Sequence, residues 1–179
     1  MPFKVKYEIF DNKHQAPDYQ TYDYTMAVVE WQDRKRNPRG MMWRIQQTVI
    51  PDGTLTKPEE YLLLVYRVRK LTIHYKNNGM KDADKRVLMN HVRKLDKWNK
   101  QTREYLNTHC KETDAETTRR MGFFILVEAW RDAYYERQQY SKAADRGGYD
   151  ANVFREMTRK IRQFEQEIDS YIKQQMKLI

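Results

Sequence analysis

Apolar and polar residues alternate at the start of the chain. Phe3, Val5, Tyr7 and Ile9 stand on one side, Lys4, Lys6 and Glu8 on the other, and Phe10 alone breaks the polar side. A period of two predicts a half-buried strand over 3–10. Residues 11–22 (DNKHQAPDYQTY) read as a loop. Asp23 suits the N-cap of a short helix over 23–36, which ends before Asn37-Pro38. A β-prone run at 41–50 is expected to pair with the first strand, and Pro51-Asp52-Gly53 carries the chemistry of a turn. Residues 1–55 therefore read as a small α+β N-terminal appendage.

From residue 56 the period changes to that of a helix. Thr56 and Glu59 form a capping-box pattern, with Pro58 in the first turn where its missing N–H is harmless. Four long helices are predicted, at about 57–77, 82–109, 114–144 and 150–177. The first turns Tyr61, Leu64, Val65, Val68, Leu71 and Tyr75 inward and stops at Gly79. The second places Leu88, Val92, Leu95, Trp98, Tyr105 and Leu106 on one face. Thr113 and Glu116 suggest a second capping box for the third, Gly147-Gly148 breaks it, and Asp150 caps the fourth.

The third helix contains MGFFILV (121–127), apolar on every side, so it is expected to be the buried one of the four. The fourth has the most regular pattern: Phe154, Met157, Ile161, Phe164, Ile168 and Tyr171 at alternating steps of three and four, continued by Gln175 and Leu178. This is a heptad seam, which in a bundle with short loops packs inside the chain more often than against a second chain. The fold class expected is mainly α: an antiparallel four-helix bundle over 56–179 preceded by the α+β element, the two making one structural unit.

Composition changes this picture only in part. The charged share is 33% and the mean hydropathy −1.01, which raises the question of disorder. The 13% aromatic content and the scarcity of Gly and Pro answer it in favour of a folded chain with much polar surface. One cysteine, Cys110, excludes an intrachain disulfide. The first residues lack the apolar stretch of a secretory signal, and no apolar run approaches a membrane span. A soluble, intracellular protein is the expectation.

The net charge of +9 is unevenly spread. Residues 67–103 hold twelve Lys/Arg against Asp82, Asp84 and Asp96, an excess equal to the net charge of the whole chain. The basic residues singled out as a binding surface are Arg67, Arg69, Lys70, Lys85, Arg86, Arg93, Lys94, Lys97, Lys100 and Arg103. Such a surface suits a phosphate backbone, read without base contacts, or an acidic protein face. Interleaved Tyr66, His74, Tyr75, His91 and Trp98 would stack on unpaired bases if exposed, though large aromatics at helical spacing are usually core.

No catalytic signature emerges. His14, His74, His91 and His109 are scattered, and His109-Cys110 supplies two soft ligands where a zinc site needs three or four. Glu128 with Asp132, and Glu165 with Asp169, share helix faces, but helix-surface ion pairing with Arg131, Arg162 or Lys173 accounts for them better than a metal. No phosphate-binding glycine motif occurs. The expectation is a non-enzymatic, basic helical subunit without cofactor or metal. It would bind nucleic acid or work in a nucleoprotein assembly. The alternative is an assembly subunit, homo- or hetero-oligomeric, that uses the Phe154–Tyr171 seam and exposed aromatics. An enzyme whose site is assembled from distant residues is the third reading.

Overall fold

The computed structural model describes residues 2–79, 81–109, 115–144 and 147–179. The fold is mainly helical, with a small antiparallel sheet at the N-terminus, as the hydrophobic pattern indicates. The described residues form two compact units, 1–59 with 172–179, and 60–171.

In the first unit, β1 (Phe3–Phe10) is the central strand of three, flanked by β2 (Tyr19–Thr21) and β3 (Arg44–Pro51). Both pairings are antiparallel, with Val5 opposite Val49, Tyr7 opposite Gln47 and Thr21, and Ile9 opposite Ile45 and Tyr19. The alternation in β1 is realised as predicted: Phe3, Val5, Tyr7 and Ile9 are buried on one face. Phe10, on the polar face, is buried too, because the Arg44 guanidinium lies 4.4 Å from its ring centre. Residues 19–21, expected as loop, pair with β1 instead. Three residues give too short a period to read, and the pairing answers the hydrogen-bonding needs of β1 on that side.

The short helix α1 (Tyr24–Arg36) starts at Asp23, whose carboxylate accepts from the Met26 amide at 2.8 Å. Its Ala27 is fully buried against Val5 and Tyr7, joined by Ile45, Val49, Leu178 and Ile179. The C-terminal residues thus complete the core of the first unit, whereas the sequence reading assigned everything after 55 to the bundle. Asp11 anchors the β1–β2 loop. Its carboxylate accepts from the Lys13 and His14 amides, each at 2.7 Å, and pairs with the His14 ring. The hydrogen bond from His14, with those from the backbone amides, holds the Asp11 carboxyl at about 2, well below the usual carboxylate range.

In the second unit, α2 (Lys57–Asn78), α3 (Asp82–His109), α4 (Ala115–Ala144) and α5 (Ala151–Met176) pack side by side, α2 from residue 60 and α5 up to residue 171. Their directions follow from who touches whom. Tyr61 near the start of α2 meets Trp98 and Asn99 late in α3, and Phe123 and Phe124 early in α4. Phe123 stacks on Tyr171 near the end of α5 at 4.3 Å, while Arg137 late in α4 meets Phe154 and Thr158 at the start of α5. Successive helices are therefore antiparallel. Half of the predicted Thr56–Glu59 capping box is present: the Glu59 carboxylate accepts from the Thr56 amide at 2.7 Å. Asp150 caps α5 by accepting from the amide of Asn152 at 2.8 Å. The Thr113–Glu116 box involves a residue outside the described ones.

The bundle core contains Val65, Val68, Leu95, Val127, Trp130, Ile161 and Ile168, each at most 2% exposed. Burying one such aliphatic side chain contributes about 1.5–3 kcal/mol. In the seam, Ile161 and Ile168 are covered by the chain itself, and Phe154, Met157, Phe164 and Tyr171 are half-buried. The run 121–127 behaves differently from expectation. Phe123 and Val127 are buried but Ile125 is 57% exposed, so α4 has one packed face and one open one. Among the described residues, no helix is long and apolar enough to cross a membrane.

Candidate functional site

The candidate basic surface lies on α2 and α3, and its layout follows from helical phase. Arg86, Arg93, Lys97 and Lys100 are separated by steps of seven, four and three, which return side chains to one side of a helix. All four are exposed, while Leu95 is fully buried and Leu88 and Val92 half-buried on the other side of α3. The row extends over about 21 Å, at 1.5 Å per residue. Lys85 and Lys94 flank it, also exposed. Among the described residues, none of these six cations lies within ion-pair distance of a carboxylate. Elsewhere Lys6, Arg34, Arg69, Arg131 and Arg159 all hold one.

Two α2 cations adjoin this surface. Arg67 and Lys70 are exposed, and the Lys70 ammonium lies 5.8 Å from the centre of the Tyr66 ring. Arg67 and Lys94, from different helices, both bear on the half-buried His91. Burial first, then these two positive charges, push its imidazole pKa down. The side chain of Arg103 lies outside the described ones.

Arg69 does not belong to the surface. It is 5% exposed, and its guanidinium faces α5, where Nε and Nη2 donate to the two carboxylate oxygens of Asp169 at 2.9 and 2.6 Å. Nη1 lies 3.1 Å from Glu165 Oε1, which also accepts from the Tyr134 hydroxyl at 2.8 Å. The Trp130 ring centre is 5.7 Å from the guanidinium carbon. Counting charge along the sequence placed Arg69 with its basic neighbours. Its phase, four residues after Val65 and one after Val68, puts it on the packed face instead.

The same network corrects the reading of Glu165 and Asp169. Their partners stand on α2 and not on α5: Arg69, 100 residues away from Asp169 in sequence, reaches both, and Lys76 lies 3.6 Å from Glu165. Separation of that size leaves no local signal. Burial pushes the Tyr134 hydroxyl up to about 12, helped by its hydrogen bond to Glu165. Arg131 on α4 pairs with Asp96 on α3 through two hydrogen bonds, of 2.9 and 3.1 Å.

The aromatics interleaved with the basic residues divide by burial. Tyr75 is buried, Trp98 packs 4.4 Å from Tyr61 and 5.1 Å from Phe124, and Tyr66 is half-buried. His91 is half-buried too, and His74 alone of the five is exposed. Among the described residues, no group of three or more His, Cys, Asp or Glu could hold a metal ion. Cys110 lies outside the described residues. Comparison with protein-family models, with curated protein sequences and with solved structures finds no match.

Proposed function

We propose that this chain is a non-enzymatic subunit that binds the phosphate backbone of nucleic acid through the outward row of α3, with Arg67 and Lys70 of α2 beside it. One observation carries the reading: six exposed cations are gathered on α3 and, among the described residues, none of them has a carboxylate partner, while Arg34, Arg69 and Arg131 elsewhere in the chain are paired. Like charges held together on a rigid helix repel one another, and a polyanion relieves that repulsion by replacing counterions. With one exposed aromatic on the face, the contact is with charge and shape and not with bases.

The test is binding of labelled single- and double-stranded oligonucleotides across a salt series. The logarithm of the association constant is expected to fall with the logarithm of salt with a slope of about −4.5 to −5.4 on duplex and about −3.5 to −4.2 on single strands for five or six neutralised phosphates. Replacing Arg93, Lys94, Lys97 and Lys100 together by Gln should abolish binding and leave the helical circular dichroism unchanged. Absence of binding at low salt would remove the proposal.

A second reading, assembly through protein surfaces without nucleic acid, draws support from Ile125 and Tyr135, 57% and 63% exposed on α4. Under it, Ile125→Lys would break association while the α3 substitutions would not.

A further inference from the structure

Between α4 and α5 lies an open cleft of ≈ 540 Å³, lined by Arg131, Tyr134, Tyr135, Arg137, Gln138, Ser141 and Phe154. Among its lining is Arg137, a half-buried arginine held in place by three side chains. The Tyr134 and Phe154 ring centres lie 5.0 and 5.7 Å from its guanidinium carbon. Nη1 donates to Thr158 Oγ1 at 3.2 Å. The Thr158 hydroxyl spends its own proton on the Phe154 carbonyl at 2.9 Å, which turns its oxygen toward Arg137.

Among the described residues, Arg137 has no counter-ion. The other arginines with little exposure, Arg34, Arg69 and Arg131, each pair with one or two carboxylates. Among the described residues, no carboxylate reaches Arg137 at ion-pair distance. Glu165 is engaged by Arg69 and Tyr134, and Arg131 is neutralised by Asp96. A guanidinium has five N–H donors in a planar fork, and one of them is spent on Thr158. A cation partly withdrawn from water, fixed in direction and left with open donors, is built for an anion from solution.

We propose that this cleft binds a phosphate monoester, with Arg137 as the anchoring charge. The Arg137 fork takes two phosphate oxygens. Ser141, one helical turn further along α4 on the same side, offers its hydroxyl to the third. Tyr135, 63% exposed at the rim, and Gln138 face the esterified group, and the cleft has the size of a small-ligand site. Helical phase puts Arg137 on the packed side of α4, four residues after the buried Ala133 and three before the half-buried Tyr140.

The experiment is calorimetric titration of the full chain with phenyl phosphate, inorganic phosphate and benzoate at constant ionic strength. Saturable one-to-one binding of phenyl phosphate is expected, weaker for inorganic phosphate, and weaker again for benzoate. Arg137→Gln should weaken phenyl phosphate binding at least about tenfold, the loss of charge-assisted hydrogen bonds. Ser141→Glu, at an exposed position, places a competing carboxylate one turn from Arg137 without removing a core contact, and should abolish binding even if Arg137→Gln fails to fold. The fourfold α3 variant should bind phenyl phosphate as the parent does, which separates this site from the basic row. No saturation by phenyl phosphate, or undiminished binding by Arg137→Gln or Ser141→Glu, would overturn the proposal. Equal binding of benzoate would overturn its assignment to phosphate.

Discussion

The hydroxyl of Tyr7 in β1 donates a 2.6 Å hydrogen bond to the backbone carbonyl of Lys177, 170 residues further along the chain. Gln47 of β3 adds a second tie, accepting from the Ile179 amide at 2.7 Å and donating to the Ile179 carbonyl at 3.4 Å. Together they fasten the last residues over the apolar face of the sheet, where Leu178 and Ile179 cover Val5 and Tyr7. Tyr7→Phe keeps the ring and removes one tie. The expected loss is about 1 kcal/mol, seen as a lower Tm together with faster amide exchange at the C-terminal residues. Unchanged exchange there would mean that apolar packing alone holds the segment.

The same hydroxyl makes the protein sensitive to alkali. Burial, and then the neighbouring Tyr24 and Asp23, push the Tyr7 phenol up from 10.0 to about 12. The folded state holds the proton more tightly than the unfolded chain does. The stability so conferred is complete below the ordinary tyrosine range of ~10 and is lost as pH rises through about 12. Phenolate absorbance titrations should show Tyr7 and Tyr134 among the last tyrosines to ionise, with one high-pH transition missing in Tyr7→Phe.

In the bundle, Arg69 is the residue whose removal should cost most. Arg69→Ala leaves the buried Glu165 with the Tyr134 hydroxyl and the exposed Lys76, 3.6 Å away, in place of a buried guanidinium, a loss of about 3–5 kcal/mol by analogy with broken buried pairs. Replacing Arg69 and both its carboxylate partners at once, as Arg69→Met with Glu165→Gln and Asp169→Asn, should recover a large part of that loss, because no buried charge remains without a partner and Lys76 is exposed to water. Urea denaturation of the two variants checks this. Equal destabilisation would show that the shape of the arginine, and not the charge balance, is what the core needs.

How much of this was legible in the sequence depends on whether the signal is periodic or pairwise. Periodicity located β1 through Phe3, Val5, Tyr7 and Ile9, and all four long helices, since each repeats its signal over several turns. The caps at Asp23 and Asp150 were legible because capping chemistry is local. β2 was not, because Tyr19–Thr21 exists through its partner strand and not through its own pattern. In MGFFILV the residues named an apolar helix but not which side faces outward, and Ile125 fell on the open side. The basic row was legible except where composition overrode phase, as with Arg69. Arg137 was not singled out by the sequence, because what distinguishes it is that no carboxylate among the described residues lies at ion-pair distance, which only three-dimensional neighbours reveal.

Lys177 carries a local cost that can be removed. It ends α5 with φ at 51°, a left-handed conformation that glycine adopts freely and other residues resist. The next amide, of Leu178, donates back to the Lys173 carbonyl at 2.9 Å, the long closing bond of a Schellman turn. That turn redirects the chain so that Leu178 and Ile179 reach the sheet, so the conformation is required and the lysine is not. Lys177→Gly should therefore stabilise by up to about 1 kcal/mol, the relief of the Cβ clash less the greater freedom of glycine in the unfolded chain. Lys177→Val, with a branched Cβ, should destabilise by more than about 1 kcal/mol. Thermal unfolding of the two variants sets these against each other. A loss of stability in Lys177→Gly would mean that the lysine stem contributes packing worth more than the strain it imposes.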